Sequence, residues 1–378
     1  PAASGDVHIP VNIGLVFGDG GEHIETNNTD FTITSGNDIV FALGAAGSVY
    51  HTGDGGSVNT IYGYQAGIAL ASGGNNNVLL GNIAGTALST GGDNVVIGYQ
   101  AMRRATTAAD ENIAIGRDSM GGDWGTADVN GCVAVGYDTL SATLTADVLG
   151  TVAIGQQSLK ALTSGVKNIA IGYQAQFAQT TGNRNTVIGY SAMQAADGGE
   201  DFNTVIGSEA GYGINNDASH DNVIIGKNAL QGGTGTILGN VAVGTGAMEG
   251  VANNSQTGTV AIGSSALNAL TSGAKNTAVG YQAGTAMTDG TDCTILGYQA
   301  GLAMTGANNN VAIGTDALQT MVHGDNNTAV GLGALKQADE AGINRNTAVG
   351  HTAATNLSTA TSTTAIGSRA MGTGVVTG

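Results

Sequence analysis

Residues able to do acid–base, nucleophilic or metal chemistry are scattered in this 378-residue chain. Its six histidines, His8, His23, His51, His220, His323 and His351, show none of the short spacings that place two imidazoles on one metal. Neither a G-x-S-x-G elbow nor a Walker loop occurs. "GTGTILG" at 233–239 shares only its glycines with a phosphate loop, and in a chain with 64 glycines it reads as a turn. The "GDG" at Asp19 lacks the ordered series of oxygen ligands that a calcium loop needs. The expectation is no catalytic residue, no cofactor and no metal site.

Surface contact is the remaining chemistry. Tyrosine recurs at one repeat position, as Tyr64, Tyr99, Tyr137, Tyr173, Tyr190, Tyr281 and Tyr298, where other copies carry Arg117, Gln156, Ser208 or Lys227. Such variation marks a solvent-facing or groove position, and tyrosines there could bind sugars or pack edgewise against the next copy. Trp124, the one tryptophan, sits in "GGDWGTADVNG" and reads either as an exposed glycan platform or as local packing. The candidate receptor or glycan contacts are Trp124, Tyr99, Tyr173, Tyr281 and Tyr298. Cys132 and Cys293 share one repeat position nine copies apart, so they lie roughly 40 Å from each other along a stack of strands and cannot form an intrachain disulfide. They are either small residues replacing Asn or the two ends of cross-chain bonds.

All these residues hang on a repeat. A glycine closing an "x-Ala-Ile-Gly" run returns at Gly63, Gly81, Gly98, Gly116, Gly136, Gly155, Gly172, Gly189, Gly207, Gly226, Gly244, Gly263, Gly280, Gly297, Gly314, Gly331, Gly350 and Gly367, every 17 to 20 residues. A period this short, rich in β-branched residues, means a solenoid of about 18 coils and not a set of independent domains. Residues 59–378 form the solenoid and residues 1–58 stand outside it. Only Pro1 and Pro10 could interrupt a strand ladder. Four residues before the glycine, thirteen of eighteen copies hold Asn, among them Asn94, Asn168, Asn276 and Asn310. Asn tolerates left-handed turn geometry, and stacked copies would form a ladder. Immediately before the glycine stand Ile97, Ile171, Val279 and Ile313 and their equivalents, on the same side of the strand as a Thr, Val or Ile two residues earlier. The residue between them is Ala in eleven copies and Ile, Leu or Val in seven. Both strand faces are therefore apolar, so the rod is expected to associate with copies of itself.

The core "N-[TV]-[AV]-[IV]-G-x-x-[AS]", as in "NVAIGTDAL" at 310–318 and "NTAVGLGAL" at 327–335, resembles the head repeat of trimeric autotransporter adhesins over about residues 59–371. That resemblance implies a left-handed parallel β-roll and a homotrimer, intertwined or side by side, around a shared apolar seam. The coils here are longer than that family's usual ones, with extra residues in loops such as "TSGVKN" and "TGANNN". A shorter stretch, "GLVFGDGGEHIETNNTDFTITSGNDIVFALGA" at 14–45, resembles the β-rich segment preceding such repeats in bacteriophage tail-fibre and other virion-fibre proteins, especially marine ones. Its alternation of Phe31 and Ile33, then Ile39, Phe41 and Leu43, around "SGND" predicts a small β cap or connector. "IGSRAMGTGVVTG" follows directly on the last repeat, with the expectation that more sequence follows or that a longer precursor is cut there.

Formal charge is −17, and basic residues form no run longer than Arg103-Arg104, which excludes phosphate-driven nucleic-acid binding. No apolar run reaches the ~18 residues of a membrane helix, and residues 1–30 lack the pattern of a signal peptide. The functional expectation is a trimeric fibre or spike on a virus particle, bound to other virion proteins through its N-terminal region and contacting a host-surface glycan or protein. The alternative is the head of a trimeric adhesin on a bacterial surface. Ice binding would need regular Thr-x-Thr rows, and the position three before the glycine mixes Thr with Val and Ile.

Overall fold

Short β-branched runs such as Val-Val-Ile at 95–97 and Thr-Val-Ile at 186–188 favour extended backbone, and the glycine after each run ends it. In the computed structural model, which describes residues 59–71, 73–105, 109–125, 127–338, 343–357 and 361–372, each of the eighteen runs is a three-residue strand. Expectations for residues 1–58, among them the connector, Asp19, His8, His23 and His51, lie outside that set. The strands form one 18-stranded parallel sheet. Each pairs with the next copy in the same register: Ile154 with Ile171, Ile171 with Ile188, Ile188 with Ile206. No helix occurs among the described residues, and the fold is an all-β parallel β-solenoid.

The middle residue of a three-residue strand turns inward and is fully buried, for instance Ala114, Ala134, Ala153, Val187 and Ile224, while its neighbours on either side point outward and are only half-buried. Alanine dominates inside because a coil this short encloses little volume. The small residue three after the glycine enters the same interior, as Ala101, Ala175 and Ala229 do, and the next residue fills what is left, as with Met102, Leu159 and Leu318.

Asn94, Asn168, Asn276 and Asn310 are all buried and form the expected ladder. The Asn94 N–H donates to Asn77 Oδ1 at 3.0 Å, Asn94 Oδ1 accepts from the Asn112 N–H at 3.0 Å, and Asn94 Nδ2 donates to the Ala109 carbonyl at 2.6 Å. The same pattern links Asn185, Asn203, Asn222 and Asn240. Buried backbone amides that no strand would reach thus find partners. The left-handed residue of this turn is not the Asn, a correction to the sequence reading, but the exposed one before it: Asp93, Lys167, Lys275 and Asn309 have φ of 59°, 60°, 62° and 54°. The amide is committed inward to the coils above and below, so its exposed neighbour takes the strained geometry.

Cys132 and Cys293 replace Asn in this ladder and are 0% and 1% exposed. Cys132 Sγ donates to the Val148 carbonyl at 3.3 Å and Cys293 Sγ to that of Ala307 at 3.2 Å. Sulfurs enclosed within their own coils cannot reach another chain, which overturns the cross-chain disulfide reading. Burial pushes the Cys132 thiol up to about 11 from 9.0, and burial raises Cys293 as well. The unfolded chain therefore releases its thiol protons first as pH rises, and stability should fall between pH 9.0 and about 11. Thermal unfolding across that range should show the decline, and Cys132→Ala should flatten it. A thiol reagent should label neither cysteine until the chain unfolds.

The longer coils absorb their extra residues in a second run of short strands. Ala109–Asp110, Val129–Asn130 and Val148–Leu149 pair in parallel, as do Ile237–Leu238 and Gln256–Thr257. Trp124 belongs to the longest of these coils and is 2% exposed. A ring this enclosed offers no face to a sugar, so the glycan-platform reading of Trp124 gives way to packing: its side chain fills interior space that the wider coil opens.

Candidate functional site

The outward face of the main sheet carries two parallel rows. One runs through Ile97, Ile115, Val135, Ile154, Ile171 and onward past Val279 and Ile313; the other holds Thr, Val or Ile throughout. Strand pairing in constant register puts equivalent side chains above one another, so each row runs unbroken from coil to coil. Most members are half-buried, and Ile169, Ile262, Leu296 and Val349 are exposed outright. The row beside the glycines is Ile, Val or Leu except at Tyr62, and the other mixes Val and Ile with threonines such as Thr186, Thr204 and Thr277, so the two rows together make a long, largely apolar stripe. Gly98, Gly172, Gly280 and Gly314 close their strands beside this face and add no side chain to it.

Beyond the glycines runs the tyrosine row. Tyr173 and Tyr190 stack with ring centroids 5.3 Å apart at 11°, and Tyr281 and Tyr298 repeat the arrangement at 5.4 Å and 15°. Tyr99 and Tyr137 each face the Arg117 guanidinium, at 5.9 and 5.4 Å. The rings thus pack coil upon coil, yet Tyr173 remains 39% and Tyr298 51% exposed. One face of each stacked ring is covered and its edge and hydroxyl stay free.

Each stacked pair is accompanied by a glutamine ladder that the sequence reading did not single out. Gln194 Nε2 donates to Gln174 Oε1 at 2.6 Å and Gln174 Nε2 to Gln157 Oε1 at 2.9 Å. Gln319 and Gln299 donate in the same way to Gln299 and Gln282, at 3.2 and 2.8 Å. Beside the first ladder lies a shallow groove of about 440 Å³ lined by Gln174, Tyr190, Gln194, Glu209, Tyr212 and Gln231. Amides, a carboxylate and partly exposed rings in one groove match the hydroxyls and C–H faces of a sugar. Tyr212 lies off the tyrosine row, five residues after Gly207, so the repeat alignment gave no signal for it. Of the five candidate contacts, the structure sets Tyr99, Tyr173, Tyr281 and Tyr298 on one exposed row and encloses Trp124.

The three described histidines stay apart: His220 Nδ1 lies 2.8 Å from Asp221 Oδ2, and His323 and His351 approach different threonine hydroxyls. No helix of the described residues is long and apolar enough to cross a membrane. The chain matches no known family profile, and no curated protein matches it in sequence.

Proposed function

We propose that the chain is the rigid shaft of a homotrimeric fibre or spike carried on a virus particle, with host-surface attachment as its role. The observation that supports this best is the largely apolar face that runs along all eighteen strands of one solenoid. A face of that size is soluble when a like face covers it, and three identical straight rows close around an axis without leaving an edge. The resemblance of residues 59–371 to adhesin-head repeats supplies the number three, and that of residues 14–45 favours a virion over a cell surface. Weak contacts at the tyrosine and glutamine grooves, repeated on three chains, would gain strength through effective concentration.

Light scattering and electron microscopy of the purified chain test the shaft. The expected particle is a trimer with the form of a straight rod; a stable monomer at micromolar concentration refutes the proposal. Antibodies raised against residues 59–378 then separate the two settings, because labelling of virus particles supports the fibre and labelling confined to bacterial surfaces supports the adhesin.

A further inference from the structure

Asp197, Glu200 and Asp217 come from two successive coils, and one carboxylate oxygen from each lies within 4.8 Å of the other two. Asp197 and Asp217 are exposed, whereas Glu200 is 0% exposed. Backbone fixes the group: the Gly198 N–H donates to Glu200 Oε2 at 3.2 Å and the Gly199 N–H to Asp217 Oδ1 at 3.3 Å. Glu200 Oε1, in contrast, is buried with no hydrogen-bond partner. An acceptor in that state is costly, and a buried carboxylate beside two others is more costly still, unless a proton or a cation joins them. The ion pairs among the described residues engage other carboxylates, those of Asp118, Asp138, Asp221 and Asp316.

We infer that Asp197, Glu200 and Asp217 form a calcium-binding site that clamps two neighbouring coils together. The donor set is oxygen only, which selects a hard divalent ion. Calcium–oxygen bonds of about 2.4 Å let ligand oxygens on one ion stand up to about 4.8 Å apart, and each of the three carboxylates places an oxygen inside that limit. Magnesium demands near-octahedral geometry and gives up its water reluctantly, so carboxylates brought together from two separate loops suit calcium's more flexible shell better. The buried Glu200 supplies one carboxylate oxygen, the exposed Asp197 and Asp217 admit the ion from solvent, and water completes the shell. Asp217 also borders a surface hollow of about 340 Å³ with Asp201 and Asp221, which concentrates cations at the entrance.

The test is calorimetric titration of Ca²⁺ into the full chain after treatment with a chelator, together with Glu200→Gln and Asp217→Asn, each first checked for an unchanged circular dichroism spectrum. The parent should bind one Ca²⁺ per chain with a dissociation constant on the order of 10⁻⁴ M or tighter. Both variants should lose at least about tenfold in affinity. Ca²⁺ should raise the melting temperature of the parent and leave that of Glu200→Gln in place. Asp217→Asn, altered at an exposed residue, keeps the test valid should Glu200→Gln fail to fold. A parent that binds no Ca²⁺ at millimolar concentration, or variants that bind as tightly as the parent, would overturn the inference.

Discussion

Gly226→Ala should destabilise the middle of the solenoid by about 4 kcal/mol or more, whereas Gly239→Ala, thirteen residues away, should cost about 1 kcal/mol. The two glycines differ in what surrounds them. Gly226 has φ of 134°, a region that side chains other than glycine's rarely occupy, and a Cβ there would lie 2.6 Å from the carbonyl carbon and oxygen of Gly244 in the next coil. Those atoms are backbone, held by the sheet, so the added methyl group must push two coils apart. Gly239 has φ of 62° and nothing within 4 Å of where an alanine methyl group would stand, so only the left-handed conformation is penalised. Neighbouring coils supply most of each coil's stability, and a separated pair should therefore open locally instead of melting the whole rod. Hydrogen exchange should show lost protection around Thr204–Ile206, Val223–Ile225 and Val241–Val243. Equal costs for the two substitutions would mean that the close approach of the glycine column does not limit the stack.

If the chain assembles as proposed, Ile206→Asp should convert the trimer into monomers while leaving the circular dichroism spectrum of the solenoid unchanged. Ile206 points outward between Ile188 and Ile225 in the apolar row and is half-buried in the single chain. In the free chain the new carboxylate can reach water, which limits the cost to the fold. Against a sibling face the same group would be buried without a partner, once in each of three chains, at about 3 kcal/mol or more each. Light scattering should report a fall to one-third of the parent mass. An unchanged mass would place the shared seam elsewhere on the molecule.

The contrast between Trp124 and the tyrosine row shows where residue type alone misleads. Tyrosine at seven equivalent positions announces a surface site because its alternates there are mostly polar, among them Arg117, Gln156, Ser208 and Lys227. A single Trp in a Gly-rich loop carries no such comparison, and its burial depends on the second strands Ala109–Asp110 and Val129–Asn130 that widen those coils. Those strands are two residues long and invisible to any periodicity. The glutamine ladders lie next to tyrosines in "GYQA", yet amides bonding across coils become visible only once the coil-to-coil register is in view.

Sequence alone determined the period, the strand positions, the glycine column and the asparagine ladder, because each is a local preference repeated in register, the glycine in all eighteen copies and the Asn in thirteen. It established that both strand faces are apolar but not which one turns inward. The tertiary structure decided that: alternation along each three-residue strand turns its middle residue inward, where Ala in most copies leaves room for interior side chains such as Leu159 and Leu162 from the rest of the coil, and the two flanking rows are left outside. It also brought Asp197 and Asp217, twenty residues apart, against Glu200. Proximity between successive coils depends on loop lengths that vary from copy to copy, and no single repeat contains it.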